Sequence, residues 1–135
     1  MAPASNVIRV DHKDGDLFEV AVRGHLLHVD QPVHDGGTDA APTPTELFVG
    51  GLASCVAFYA RRYLDRHDLP TAGLSVTATF VMAGHPARVG EVDVAITVPE
   101  GVPDERRAGL LAIAQHCSVH NSLAQPPQVT IGLAV

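Results

Sequence analysis

Near the start of the chain, apolar and polar residues alternate. In residues 17–23, Phe18, Val20 and Val22 share one face and Glu19, Ala21 and Arg23 the other, which is the period of a half-buried strand. A shorter apolar run covers residues 7–10. Asp14-Gly15-Asp16 is a turn signal between the two runs, so they predict a hairpin. Arg23-Gly24 marks a second turn, and residues 25–30 make a third strand of the same meander. Residues 31–45 then read as a loop, broken by Pro32, Gly36, Gly37, Pro42 and Pro44. A loop of that length in a small protein is often functional.

The period then changes. Thr43 and Glu46 have the spacing of a capping box, and Pro44 stands at the favoured first helical position, so a helix is predicted from there to about Asp65. Residues 47–58 carry no charge on any face, and a helix apolar all round is buried rather than amphipathic. Gly50, Gly51, Ala53 and Ser54 would let another backbone approach closely, while Arg61, Arg62, Asp65 and Arg66 emerge toward solvent. One small chain has few elements with which to cover such a helix. A homodimer, with the equivalent helix of a second copy alongside, is the economical solution.

Alternation returns in residues 74–82, where Leu74, Val76, Ala78, Phe80 and Met82 share a face, and again at Val92, Val94, Ile96 and Val98. Residues 84–90 connect these two strands as a hairpin loop. Asp104 and Glu105 open a second helix, where the helix dipole favours carboxylates. Its apolar side is Leu110, Leu111, Ile113 and Ala114, and it ends near Cys117. A short helical turn over 118–124 and a last strand over 128–135 complete the chain. The order is βββ-α-ββ-α-β, an α+β fold of mainly antiparallel strands in a single domain of residues 1–135.

Composition narrows the function. A chain of 135 residues is enough for one core. A formal net charge of −6 speaks against a nucleic-acid binder and against an anionic membrane surface as partner. With no long apolar run and no basic, apolar N-terminal signal, the expectation is a cytoplasmic protein. Two cysteines do not make a disulfide-rich secreted scaffold.

Those cysteines carry the candidate chemistry. Cys55 lies mid-helix and Cys117 at the end of the second helix. Free cysteine is commonly plain core. A redox pair requires the side chains to meet, one thiol attacking and the other resolving the resulting sulfenic acid into a disulfide. Cys117 is placed to gain thiolate character from the short helix that starts at Ser118. His116, Cys117 and His120, and separately His25, His28 and His34, are metal-ligand types, but the paired spacing of structural zinc is absent and no metal site is expected. Phosphate-cradling glycine motifs, His-Glu-x-x-His and Gly-x-Ser-x-Gly are likewise absent.

Three segments carry a resemblance: Asp30-Gln31-Pro32, the stretch from Gly36 through Phe48, and Gly51-Leu52-Ala53-Ser54-Cys55. Together they resemble the central region of the OsmC/Ohr family, the osmotically inducible and organic hydroperoxide resistance proteins. Residues 110–123, with Cys117-Ser118-Val119-His120, are similar to the family's second cysteine segment, Cys-Pro-Val-His. The resemblance implies an intertwined homodimer, with sheets wrapped around a pair of buried central helices and an active site at the dimer interface. It also implies a thiol peroxidase acting in oxidative stress defence. Cys55 would reduce an organic hydroperoxide, Cys117 would close the disulfide, and an external dithiol such as a lipoyl protein would reset the enzyme. No cofactor is implied.

The sequence departs from the family's peroxidases in three places. Thr45, not Glu, follows Pro44, which leaves Glu46 as the candidate carboxylate or as a plain capping residue. The loop 31–45 contains no Arg or Lys, so Arg23 is the nearest upstream candidate for the cation beside the thiol, or else a solvated strand-end charge. Ser118 replaces the Pro. The rival to the peroxidase is a non-catalytic dimer of the same fold that binds an apolar small molecule.

Overall fold

The computed structural model describes residues 6–134, in two compact units that divide between Phe48 and Val49. In the N-terminal unit, β1 (Arg9–Asp14), β2 (Leu17–Val22) and β3 (His25–Val29) form an antiparallel sheet in that order. Val10 pairs with Val20, and Val20 with Leu27, so the alternating apolar positions fall in register. The first strand starts later than the apolar run at 7–10 and extends to the turn, because pairing with β2 decides its length.

The loop after β3 is ordered around one carboxylate. Asp30, almost fully buried, accepts hydrogen bonds from Gln31 N–H (2.8 Å), Thr38 Oγ1–H (2.9 Å) and Ala40 N–H (2.9 Å). Those backbone donors, from Ala40 and Gln31 first, outweigh burial and hold the carboxyl below its ordinary range. A single 3-10 turn, Val33–Asp35, lies within the loop. Gly37 passes so close that a Cβ would collide with the Gln31 carbonyl and lie 2.7 Å from Asp30 Oδ1.

Helix α1 (Pro44–Arg66) begins with the expected capping box. Thr43 N–H donates to Glu46 Oε1 (2.9 Å), and Glu46 N–H donates to Thr43 Oγ1 (3.0 Å). Within the C-terminal unit, β4 (Ser75–Ala83) and β5 (Arg88–Thr97) form an antiparallel hairpin, followed by α2 (Arg107–Ala114) and α3 (Ser118–Ala124). Pairing passes from Val81 with Glu91 to Met82 with Val89, leaving Gly90 as a bulge whose Cβ would stand 2.8 Å from that of Ala83. Val76, Val92, Val94 and Ile96 pack against Leu52, Val56, Ala114 and Cys117. A second cluster, Ala60, Leu64, Val102 and Leu110, closes the far end of α1.

The α+β class and the antiparallel strands stand as expected, with two corrections. First, α1 is not buried on every side. Val49, Leu52, Val56, Ala60 and Leu64 form one buried stripe, whereas Phe58 is 49% exposed and a Cβ at Gly50 or Gly51 would meet nothing. A hairpin and one short helix cover a single side of a helix, so all-round burial needs more than this chain. Second, residues 126–134 form no strand, and Ile131 and Leu133 are almost fully exposed. Alternation defines a strand's faces, but a strand forms only where a neighbouring edge pairs with its backbone, and no described strand pairs there. Val135 lies outside the described residues. The observed order is βββ-α-ββ-α-α. No described helix is long and apolar enough to cross a membrane.

Candidate functional site

The site is built at the joint between α2 and α3. Two side chains of α3 reach back to the last carbonyls before it: His120 Nδ1–H donates to Gln115 O (2.5 Å), and Asn121 Nδ2–H to His116 O (3.1 Å). A carbonyl only accepts, so this bond puts the His120 proton on Nδ1 and leaves Nε2 an acceptor while the ring is neutral. Held this way, Cys117 becomes the N-cap of α3, in extended backbone, with its sulfur accepting His120 N–H at 3.4 Å. Cys117 is fully buried in the Leu52, Val56 and Ala114 cluster.

Cys55 sits on α1 beside that cluster, half-buried. Its sulfur is 3.5 Å from the Ser118 hydroxyl, and the side chain packs against the cluster that holds Cys117, both cysteines being free. Burial pushes the Cys55 thiol up. It is outweighed by donors from Val119 N–H, the Ser118 hydroxyl, the Cys117 thiol and Ser118 N–H, which hold Cys55 below the usual thiol range. Burial pushes Cys117 up as well. There His120 N–H works against it, but the neighbouring Cys55 sulfur, as acceptor and as charge, raises it further.

The structure therefore corrects the sequence expectation for the short helix. Its first N–H groups bear on both sulfurs, Val119 and Ser118 on Cys55 and His120 and Val119 on Cys117, but burial and the neighbouring Cys55 sulfur leave Cys117 raised while Cys55 is lowered. A nucleophilic sulfur beside a buried, protonated thiol is the arrangement that attack followed by disulfide closure requires. A cavity of about 280 Å³ lies against the same cluster. It shares Leu52, Val56 and Ala114 with the Cys117 cluster and is completed by Val92, Val94, Ile96 and Leu111, with Gln115 and His120 as its polar groups.

The other two candidates belong to the N-terminal unit. Glu46 is engaged in the capping box with Thr43. Arg23 lies in the β2–β3 turn, exposed, with a positive φ of 47°. Among the described residues, no three His, Cys, Asp or Glu side chains gather as a metal cluster, and His116, Cys117 and His120 are used as above. Ser118 and His120 were not chosen as site residues from sequence. The signal for Ser118 was its position directly after a cysteine at a helix start, where the helix has no need of a hydroxyl.

Comparison with known proteins bears on the family and the fold. The family model for OsmC-like proteins matches residues 36–132. A Psychrobacter arcticus structure, provisionally named an osmotic stress induced and detoxification response protein, is 26% identical, with TM-score 0.81 and 90% of each chain covered. An organic hydroperoxide resistance protein from Elizabethkingia anophelis is 22% identical, with TM-score 0.68, covering 90% of this chain and 91% of that one. One from Legionella pneumophila is 20% identical, with TM-score 0.64 and 91% of each chain covered. At those last two identities the likeness speaks for the fold. No curated protein matches the chain.

Proposed function

The chain belongs to the OsmC-like protein family, and on that premise we propose that it is a thiol-dependent peroxidase for organic hydroperoxides. The observation that carries the reading is the packing of Cys55 against the cluster that buries Cys117, both thiols being free. Cys55 thiolate attacks the outer oxygen of ROOH. An S–O bond forms, the O–O bond breaks, and the departing alkoxide takes a proton from solvent to become the alcohol. Cys55 is left as a sulfenic acid. Cys117 then attacks the Cys55 sulfur, the S–S bond forms, and the S–O bond breaks to release water with the Cys117 proton. An external dithiol, of the lipoyl type, reduces that disulfide and is itself oxidised to one. The reading places the protein in the cytoplasm, where such a reductant is at hand.

A homodimer belongs to the same proposal. Phe48 and Phe58 of α1, Leu111 and Ile113 of α2, and Val129, Ile131 and Leu133 are all exposed, apolar side chains that a second copy would cover. Sedimentation at micromolar concentration tests it, a monomer being the contrary result.

Stopped-flow oxidation of the reduced protein by an alkyl hydroperoxide, with thiols counted afterwards, tests the activity. Thiol loss no faster than that of a free cysteine sinks it. A second reading, binding without turnover, is favoured by the cavity, mostly apolar in its lining, that shares Leu52, Val56 and Ala114 with the Cys117 cluster. Cys55→Ser separates the two: unchanged ligand affinity, in a protein that reduced no peroxide before the change, leaves the binder standing.

A further inference from the structure

We propose that the Ser118 hydroxyl is a catalytic hydrogen-bond donor to the Cys55 sulfur, supplying stabilisation of the nucleophile that no cation of the 31–45 loop supplies. The consequence for turnover rests on the peroxidase reading; the contact itself does not.

The first argument is that this hydroxyl has no other task. A helical serine usually turns its proton onto the carbonyl four residues back. Ser54 does so to Gly50 O (2.6 Å), and Ser122 to Ser118 O (2.9 Å). Ser118 is the first residue of α3, and the capping role at that end falls to the Cys117 sulfur. Among the described residues, the one side-chain partner of Ser118 Oγ is Cys55 Sγ, at 3.5 Å across two separate helices.

The second argument concerns direction. Between a thiol and a hydroxyl either group donates. Once Cys55 has lost its proton the sulfur only accepts, so Ser118 is the donor, in the charge-assisted form that is the stronger kind of hydrogen bond.

The third argument is what else acts on Cys55. From α1, Tyr59 lies about one turn further along. From the α2–α3 joint, the imidazole of His120 is engaged with Gln115 O. The strands present Val76, Val92, Val94 and Ile96 to this cluster. Cys117 is the titratable group that bears on Cys55, and the remaining donors are the hydroxyl and N–H of Ser118 and the N–H of Val119. A proline at this position, as in the motif the segment resembles, lacks both the hydroxyl and the N–H. Serine at 118 therefore adds two donors to the nucleophile.

That difference defines a graded test. Ser118→Ala removes the hydroxyl alone. Ser118→Pro removes the N–H too, yet suits the first turn of a helix, and Cys117 already has the extended backbone (φ −65°, ψ 152°) that a residue before proline prefers. Ser118→Thr keeps the hydroxyl. Alkylation of the reduced protein by iodoacetamide is followed from about pH 5 to pH 10, with Cys55 and Cys117 quantified separately by peptide mass spectrometry. The expected result below neutral pH is a roughly three- to tenfold slower Cys55 reaction in the Ala variant, slower still in Pro, and near the native rate in Thr. Native profiles in both Ala and Pro overturn the proposal, as does a Thr variant that behaves like Ala. Faster Cys117 alkylation in Ala or Pro marks a loosened core, and Thr then decides. Alkylation needs no peroxide. A Ser118 effect in a protein that fails to reduce alkyl hydroperoxide would thus sink the activity and leave the donor role intact.

Discussion

The Cys55 sulfur on α1 packs beside the cluster that buries Cys117, the N-cap of α3, and lies 3.5 Å from the Ser118 hydroxyl next to it in the chain. Burial raises both thiols, but donors led by Val119 N–H and the Ser118 hydroxyl bring Cys55 down, whereas Cys117 stays raised, with the Cys55 sulfur adding to the rise. Peptide-resolved alkylation at neutral pH should find Cys55 about tenfold or more faster than Cys117. Cys55 should slow as the pH falls through its depressed value. Equal rates would mean that the contact does not polarise the pair.

Removing the resolving thiol separates the two chemical steps. Cys117→Ser should still consume about one equivalent of alkyl hydroperoxide per chain and then stop, leaving a Cys55 sulfenic acid that a dimedone probe captures. Steady-state turnover with a dithiol should fall by about tenfold or more. Full turnover without Cys117 would place the resolving thiol elsewhere.

Thr43 and Glu46 distinguish a cap from a catalytic carboxylate. Thr43→Ala removes the Oγ1 that accepts from Glu46 N–H, while its own N–H can still donate to Glu46, and should lower stability by about 1 kcal/mol. Glu46→Gln keeps an acceptor for Thr43 N–H and should leave stability within about 0.5 kcal/mol. Its peroxide turnover is then informative. A large loss in an equally stable protein assigns Glu46 to the chemistry, and native turnover assigns it to the helix start.

Asp30 makes the N-terminal unit acid-sensitive. Its carboxyl is lower in the folded chain than in the unfolded one, chiefly through Ala40 N–H and Gln31 N–H. The stabilisation is therefore present above the ordinary carboxylate range and lost as the pH falls through the depressed value. Melting temperatures across the acid range should drop there for the native protein and change less for Asp30→Asn. That variant should already melt lower at neutral pH, because its amide NH₂ would face backbone donors. Gly37→Ala should also melt lower, since its Cβ collides with the Gln31 carbonyl.

Leu110 is 2% exposed and packs with Ala60, Leu64 and Val102. Leu110→Ala should cost about 2–5 kcal/mol in denaturant unfolding, with the spread set by how far the cluster collapses into the cavity. A cost well below that would mean that the α1–α2 packing is looser than described.

Much of this protein was legible along the chain, because it depends on neighbours in sequence. The period of Phe18, Val20 and Val22 marked β2, Thr43-Pro44-x-Glu46 marked the start of α1, and Ser118 opened a short helix. Local hydrogen bonds and side-chain periodicity decide those features within a few residues. The alternation at Val129, Ile131 and Leu133 misled for a complementary reason: a strand is a pairing, and the chain's own pattern does not say whether an edge is there to pair with. Nor could spacing place Cys55 against Ser118 and Cys117, more than sixty residues on. Packing of α1 on the β4–β5 hairpin and the α2–α3 joint makes that meeting, and with it decides which of the two thiols is lowered and which is raised.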